Sequence, residues 1–355
     1  MGRKEQMRRQ TIIMSGTAIL LSAFGSSPAL SDDPAFFAGR EIKLIVGTSA
    51  GGGYDSYARL VARFYGKHIA GNPIFVTQTM PGASGAKAVN FIYSAAPKDG
   101  SVIATFNNAM PFYQALGEPG IQFKSEELSW LGSLSGVVNV VSVWHTAGVR
   151  TIEDAKHKEV IMGATGAGGT MASYPAILNA MIGTKFKIIT GYEGGNSVNL
   201  AIERGEIQGR GSNPWTSWKA TNPDWIRDKK ILPLVQVGLK RDPDLPDVPL
   251  LLDLAQNDTE RQMFSFVASN IPMERPFAAP PRIPTARLKA YRDGFEKMWR
   301  DAEFIAEAAK RDMDIDPLRG ERVQEIVASI IATPPDIIEK TKQASHVKGA
   351  TGGAD

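Results

Sequence analysis

The sequence predicts an α/β fold, with strands joined by crossover helices and divided between two lobes. Three observations predict it. Short apolar runs are repeatedly followed by segments of helical period. Three of those strand-to-helix junctions are rich in glycine. The chain is also long for a single core, 355 residues with no cysteine to staple it, so stability has to come from burial in two units.

The first 31 residues stand apart from this pattern. Arg3, Lys4, Arg8 and Arg9 make a basic start, and Thr11–Phe24 is an apolar run too short to span a bilayer. Ala29-Leu30-Ser31 places small residues where a signal peptidase reads. Residues 1–31 are therefore expected to be a secretory signal cut before Asp32, with the mature chain in the periplasm. The Arg8-Arg9 pair leaves general and twin-arginine export both open. The segment carries four basic residues and one acidic residue. The remainder thus holds 40 less 4 basic and 37 less 1 acidic residues, 36 of each. The formal +3 belongs to the signal, and a neutral mature chain offers no electrostatic case for nucleic acid. Beyond the signal no apolar run approaches twenty residues, and a soluble protein is expected.

From Glu41 the elements follow in order. Glu41–Val46 alternates polar and apolar residues and then turns continuously apolar, as a strand entering a sheet interior does. Tyr57, Leu60, Val61, Phe64, His68 and Ile69 then share one helical face, which Gly71-Asn72-Pro73 ends. Ile74–Thr77 is the next predicted strand, followed by the turn Met80–Gly85 and a small-residue helix over Ala86–Ala95. Pro97-Lys98-Asp99-Gly100 turns into a strand at Val102–Phe106. In the middle of the chain, strands are predicted at Val137–Val143, Val160–Met162 and Phe186–Ile189. Helices are predicted around Pro175–Ile182, stopped by Gly183, and at Val198–Arg204, capped by Asn196 or Ser197. A strand at Leu232–Val237 precedes the proline-rich passage Asp242–Pro249. Two amphipathic helices follow. Leu288, Tyr291, Phe295, Met298 and Trp299 share a face of the first, and Val323, Ile326, Val327, Ile330 and Ile331 a face of the second.

The glycine-rich junctions are Gly51–Gly53, Gly163–Gly169 and Gly191–Gly195. Each leaves backbone N–H groups unpaired at a helix start, where the helix dipole favours negative charge. In open α/β sheets such turns gather at the carboxyl ends of the strands, where ligands bind. Neither nucleotide pattern fits. The phosphate loop Gly-x-x-x-x-Gly-Lys-Ser/Thr is absent. The dinucleotide pattern Gly-x-Gly-x-x-Gly fails at its third glycine, where Met171 follows Gly166 and Gly168 and where Ser56 follows Gly51 and Gly53. A carboxylate needs only two or three backbone donors and a hydroxyl or two, which Thr48, Ser49, Thr165 and Thr170 supply.

No catalytic constellation is visible. His68, His145, His157 and His346 are scattered without metal-ligand spacing, and His68 lies on a packed helix face. Gly-x-Ser-x-Gly and His-Glu-x-x-His are both missing, and the lack of cysteine removes thiol chemistry. The expectation is a protein with no catalytic residue, cofactor or metal. Asp55 has two readings: a first-turn acid favoured by its own helix dipole, or a contact to a ligand amine or hydroxyl. Trp215 and Trp218 are open in the same way, as cleft aromatics or as core.

Several segments then occur in a fixed order over nearly all of the mature chain. They are Ala50-Gly51-Gly52-Gly53-x-Asp55 with Ala58-Arg59, Pro81-Gly82-Ala83-x-Gly85, and Ala95–Gly100. Gly163-x-x-Gly166-x-Gly168, Tyr192-x-Gly194, Gly205-Glu206-Ile207, Leu245–Pro249 and Ala279-Pro280 complete the set. This ordered set resembles the periplasmic receptors of the tripartite tricarboxylate transporter family, also called Bug receptors. The resemblance implies a two-lobed, periplasmic-binding-protein-like (Venus flytrap) fold, with two mixed sheets flanked by helices. It implies lobe I over residues 32–136, lobe II over 137–239, a return to lobe I with C-terminal helices over 240–345, and a flexible tail over 346–355. Crossings between lobes are expected near Gly136 and Gly238.

The same resemblance implies a ligand carboxylate held by Thr48, Ser49, Gly51 and Gly52 on the first lobe, with Asp55 beside them and Asn107 and Asn108 at the mouth. On the second lobe it implies Ala164, Thr165, Gly168, Gly169 and Thr170, to which Asn213 is added. The chain departs from the family at Gly47 (usually proline), Met80 (usually arginine), Gln208 (often aspartate) and Met171-Ala172-Ser173 (a region that commonly holds a histidine). A neutral Gln208 with Arg210 nearby suits a second acidic group on the ligand. The implied role is that of a monomeric receptor delivering a mono-, di- or tricarboxylate to membrane permease subunits. Two rivals stay open: an exported hydrolase or other enzyme on a similar sheet, and a receptor that signals to a sensor partner.

Overall fold

Strand grammar becomes sheet at the first element that the sequence marks. Glu41–Val46 is β1, with its side chains alternately exposed and buried before three consecutive buried residues at the carboxyl end. A computed structural model describes residues 34–136 and 138–346. The signal expected over residues 1–31, Val137, and the expected tail beyond His346 lie outside the described residues.

The first run of the chain is α1 (Pro34–Phe37), β1 (Glu41–Val46), α2 (Gly53–Phe64), β2 (Ile74–Thr79), α3 (Ala86–Asn90), β3 (Val102–Thr105), α4 (Met110–Leu116) and β4 (Ser129–Ser135). The second is β5 (Asn139–Trp144), α5 (Asp154–His157), β6 (Val160–Gly163), α6 (Thr170–Ile182), β7 (Phe186–Ile189), α7 (Gly195–Glu203), β8 (Gly209–Pro214), α8 (Trp215–Thr221), α9 (Pro223–Arg227) and β9 (Ile231–Val237). The last is α10 (Asp258–Ala268), β10 (Glu274–Ala279), α11 (Thr285–Met298), α12 (Ala302–Ala309), β11 (Leu318–Arg319), α13 (Gly320–Ile331) and α14 (Pro335–Ser345).

Two mixed sheets result, within one compact unit. The first has the order β11-β4-β10-β3-β1-β2, with β1 parallel to β2 and β3 and β10 antiparallel to β3 and β4. The second has the order β7-β6-β8-β5-β9, with β6 parallel to β7 and β8 and β5 antiparallel to β8 and β9. The chain crosses between the sheets from β4 to β5 and again from β9 to β10. The crossings lie side by side, since a Cβ on Gly238 would come within 2.6 Å of the Val138 side chain.

The predicted helix faces form the cores. Tyr57, Leu60, Val61 and Phe64 of α2 are buried together with Tyr291, Phe295 and Met298 of α11. Leu288 and Trp299 pack half-buried at the edge of the same cluster. Val323, Ile326, Val327 and Ile330 of α13 join a second core. Trp215 and Trp218 resolve to core: both are buried, in a cluster with Trp225 and Val140.

Three boundaries differ from expectation for identifiable reasons. Helix α6 starts at Thr170, not Pro175, and carries the proline inside. The missing proline N–H leaves the Met171 carbonyl without its intrahelical bond. Gly211 of β8 packs against that carbonyl, where a Cβ would stand only 2.1 Å from the oxygen. Helix α7 starts at Gly195 with no side-chain cap. Asn196 reaches away instead, donating from Nδ2 to the Ala50 carbonyl at 3.1 Å. The strand expected at Val137–Val143 is β5, which begins at Asn139, and its partner β8 is a strand that the sequence did not announce.

Candidate functional site

Six strand-to-helix junctions converge on one cavity of about 200 Å³. Three follow the parallel strands β1, β2 and β3 of the first sheet, and three follow β6, β7 and β8 of the second. Parallel strands aim their carboxyl ends the same way, so each sheet presents its turns and helix starts on one rim. The first sheet contributes Gly47–Ser49 and Gly52–Tyr54, Pro81–Gly85, and Asn107 and Asn108. The second contributes Thr165 and Gly169–Met171, Tyr192–Gly195, and Ser212–Pro214 with Ser217. The sequence pattern pointed to three of these junctions, and the structure brings together twice as many.

Close approach explains why glycine occupies the turns. A Cβ on Gly194 would stand 2.1 Å from the Ser49 hydroxyl, and one on Gly169 would stand 2.3 Å from that of Ser84. In both cases the glycine belongs to one sheet's rim and the hydroxyl to the other's. Gly51 has a separate reason, a φ of +78° that side-chain-bearing residues rarely adopt. Gly47 makes a hydrogen bond that the proline usual at this place in the resembling family could not. Its N–H donates to the Thr105 carbonyl at 2.9 Å.

Hydrogen bonds already join the rims. Ser84 Oγ and Thr165 Oγ1 lie 3.3 Å apart, and the Thr170 N–H donates to the Tyr113 hydroxyl at 2.6 Å. Arg275 of β10 donates from Nη2 to Ser217 Oγ at 2.6 Å. Other polar atoms of the lining are buried without a partner: Thr48 Oγ1, Asn213 Nδ2 and Glu274 Oε2. Buried polar groups are nearly always hydrogen-bonded, so orphans gathered round one cavity mark it as a place for polar guests.

Charge is concentrated in the cavity wall. Glu274 and Arg275 are both fully buried and paired at 2.5 Å. Burial pushes the Glu274 carboxyl up, against the pull of Arg275. The Arg275 guanidinium also lies over the rings of Tyr54 and Tyr57, at 4.3 and 4.9 Å. Burial, reinforced by Glu274, raises the Tyr54 hydroxyl well above its ordinary value, so it stays a neutral donor. Arg210 of β8 is buried as well, and its partners are neutral: the Ser212 carbonyl at 2.9 Å and Asn199 Oδ1 at 3.0 Å.

Among the residues singled out from sequence, Thr48, Ser49, Gly52, Asn107, Asn108, Thr165, Gly169, Thr170 and Asn213 line the cavity. Gly51, Asp55, Ala164 and Gly168 do not. Asp55 is turned into its own loop, where Oδ2 accepts from the Gly51 N–H and from Arg59 Nε, each at 2.9 Å. Ala164 continues the sheet, donating its N–H to the Ile189 carbonyl. Gly168 faces Glu118, whose carboxylate a Cβ would meet at 2.5 Å. Asn107 folds onto its own turn, with Oδ1 accepting from the Ala109 N–H. Asn108 donates its side-chain amide to the Asn270 carbonyl. Gln208 is absent from the wall, because its side chain accepts from the Ile161 N–H at 2.9 Å. Sequence reasoning did not place Ser84, Ser217, Glu274 or Arg275. A motif had flagged the Ser84 turn, but nothing local marks Glu274-Arg275 as more than a charged pair before a proline. Among the described residues no group of histidines and acids is placed to hold a metal, and no helix is long and apolar enough to cross a membrane.

No family model matches the chain. A protein of Cupriavidus necator, the "UPF0065 protein in gbd 5'region", is 25% identical over 342 residues, covering 94% of this chain and 97% of that one. Among solved structures, R. palustris Rpa4515 with adipate aligns with a TM-score of 0.66 at 18% identity, over 86% of this chain and 97% of the other. The periplasmic binding protein BugD aligns at 0.67 and 16%, over 86% and 98%. MatC of Rhodopseudomonas palustris with bound malate aligns at 0.64 and 14%, over 86% and 99%.

Proposed function

We propose that this chain, which has the fold of the Bug/TctC periplasmic receptors of tripartite tricarboxylate transporters, captures a small organic carboxylate between its two sheets. Its mature form works in the periplasm as a monomer and delivers the acid to membrane permease subunits. The carrying observation is the convergence of six strand-to-helix junctions, three from each sheet, on one cavity. The start of α2 supplies N–H donors at Gly53 and Tyr54 that no preceding carbonyl of the helix can take. Thr48, Ser49 and Thr165 add hydroxyls. The solved neighbours named with adipate and malate support a carboxylate as the guest.

The lobes are taken as residues 32–136 with 240–345, and 137–239. In support of that division, β1–β4 with β10 and β11 form one sheet and β5–β9 the other. A ligand touching both rims stabilises the arrangement in which they meet, which is a shift of population and not a reaction. Affinity in the micromolar range, about −8 kcal/mol, suits capture followed by release. Binding without turnover is the reading taken, because the cavity wall holds no histidine or nucleophile–base pair.

Isothermal calorimetry of the purified mature chain against a panel of mono-, di- and tricarboxylates tests this. Saturable binding of at least one acid, with the acid recovered unchanged, is expected. Folded protein that binds none of them would falsify the proposal, and chemical conversion of a bound acid would restore the enzyme reading.

A further inference from the structure

Two guanidinium groups are buried beside the cavity, and only one of them has an acid. Arg275 is neutralised by Glu274. Arg210, 7% exposed, has no carboxylate within ion-pair reach among the described residues. Its Nε and Nη1 are spent on the neutral oxygens of Ser212, Asn199 and, at 3.5 Å, Gly195. Nη2 has no hydrogen-bond partner among them and approaches Gly195, where a Cβ would stand 2.6 Å away. Burial, then repulsion from Arg275, pull the Arg210 pKa down to about 9, which still leaves it cationic at neutral pH. Strand register sets Arg210 beside Gly163, the last residue of β6, and therefore on the rim from which the ligand turns spring.

A buried charge is ordinarily paired or bound to a counter-ion, because desolvation is otherwise uncompensated. The protein provides Arg210 with hydrogen-bond acceptors but no negative charge, in a wall that faces the guest. We infer that the ligand supplies it: Arg210 is the specificity-determining residue, pairing with a second anionic group so that the cavity selects dianions over monoanions of equal length. The inference rests on the carboxylate-receptor reading and adds to it which residue reads the second charge. The rim hydroxyls and helix starts hold the first carboxylate, and Nη2 of Arg210 donates a charge-assisted hydrogen bond to the other.

The test is calorimetry with chain-matched acids, succinate against butyrate and adipate against hexanoate, on the wild-type protein and on Arg210→Met and Arg210→Lys. In the wild type at least one diacid is expected to bind about 30-fold tighter than its monoacid, the scale of a charge-assisted hydrogen bond. Arg210→Met weakens that diacid by about the same factor and leaves the monoacid nearly unchanged, while Arg210→Lys keeps part of the preference. Equal wild-type affinity for both members of each pair overturns the inference without any variant having to fold, and leaves the receptor reading intact. A loss of mono- and diacid binding by the same factor in Arg210→Met also overturns it, because Arg210 would then hold the common carboxylate. Folded wild-type protein that binds no acid removes both readings together.

Discussion

Replacing Gly169 by alanine tests whether the two rims must touch for the ligand to be held. The new Cβ would lie 2.3 Å from Ser84 Oγ and 3.0 Å from Ser84 Cβ. The hydroxyl can rotate away, but the Ser84 Cβ is fixed by its backbone, so the rims have to separate by a few tenths of an ångström. Overpacking of this kind costs about 1–3 kcal/mol, which as a coupling to ligand is roughly a 5- to 150-fold loss of affinity. Because the contact is between rims and not inside one core, the melting temperature of the ligand-free protein should move little. Ser84 offers a rescue. Its φ is +54°, a conformation glycine adopts readily, and Ser84→Gly removes the colliding atoms. The double variant Gly169→Ala/Ser84→Gly should recover most of the affinity, short by the lost Ser84–Thr165 hydrogen bond, about 1 kcal/mol. Calorimetry with the tightest-binding acid is the assay. Wild-type affinity in Gly169→Ala, or a double variant as weak as the single, would refute the idea that closure of these rims holds the ligand.

Arg275→Met should cost about 3–5 kcal/mol in urea denaturation, since it strands Glu274 as an unpaired buried acid. The Glu274→Leu/Arg275→Met double variant should recover much of that loss, and a silent single variant would remove the pair from the list of stabilising contacts. A hydrogen bond from Lys67, followed by those from the Glu303 backbone N–H and His68, holds the Asp301 pKa down at about 2 against an ordinary 3.8. A depressed acid stabilises the fold above its unfolded pKa and loses that contribution as pH falls through the folded value. Asp301→Asn keeps the cap on α12, so its stability deficit relative to wild type should be full at pH 6 and shrink progressively as pH falls below about 4; a constant deficit would contradict the charge account. Gln208→Leu should destabilise the protein by about 1–2 kcal/mol by stranding the Ile161 N–H. It should leave acid affinity unchanged, and an altered affinity would return Gln208 to the site.

The elements that were legible are those whose burial follows from their own period. Strand β1 and helix α2 show in the string because one face of each is apolar at the spacing its geometry demands. Strand β8 shows the opposite case. Gly-Arg-Gly-Ser-Asn-Pro reads as a turn, yet it is a fully buried strand between β6 and β5. Its small residues are a consequence of what presses on it: a Cβ on Gly209 would meet the Ser142 carbonyl at 2.6 Å, and one on Gly211 the Met171 carbonyl at 2.1 Å. Neighbouring strands and α6 supply the hydrogen bonds and contacts that the local composition does not advertise. Strand β4, Ser-Trp-Leu-Gly-Ser-Leu-Ser, is hidden for the same reason, with Leu318 and Phe295 packed where a Gly132 side chain would go.

What the string of residues determined alone is the order of strands and helices, and the presence of glycine corners suited to an anion, because periodicity and backbone permissiveness are local properties. What tertiary structure decided is which corners meet and which charges share a wall. Glu274 and Arg275 are sixty residues and more downstream of Arg210, and all of them are far from Thr48. Only the double crossing between sheets brings Thr48, Arg210 and Glu274 round one cavity, where Glu274 is already paired with its neighbour Arg275 and Arg210 is left to the guest.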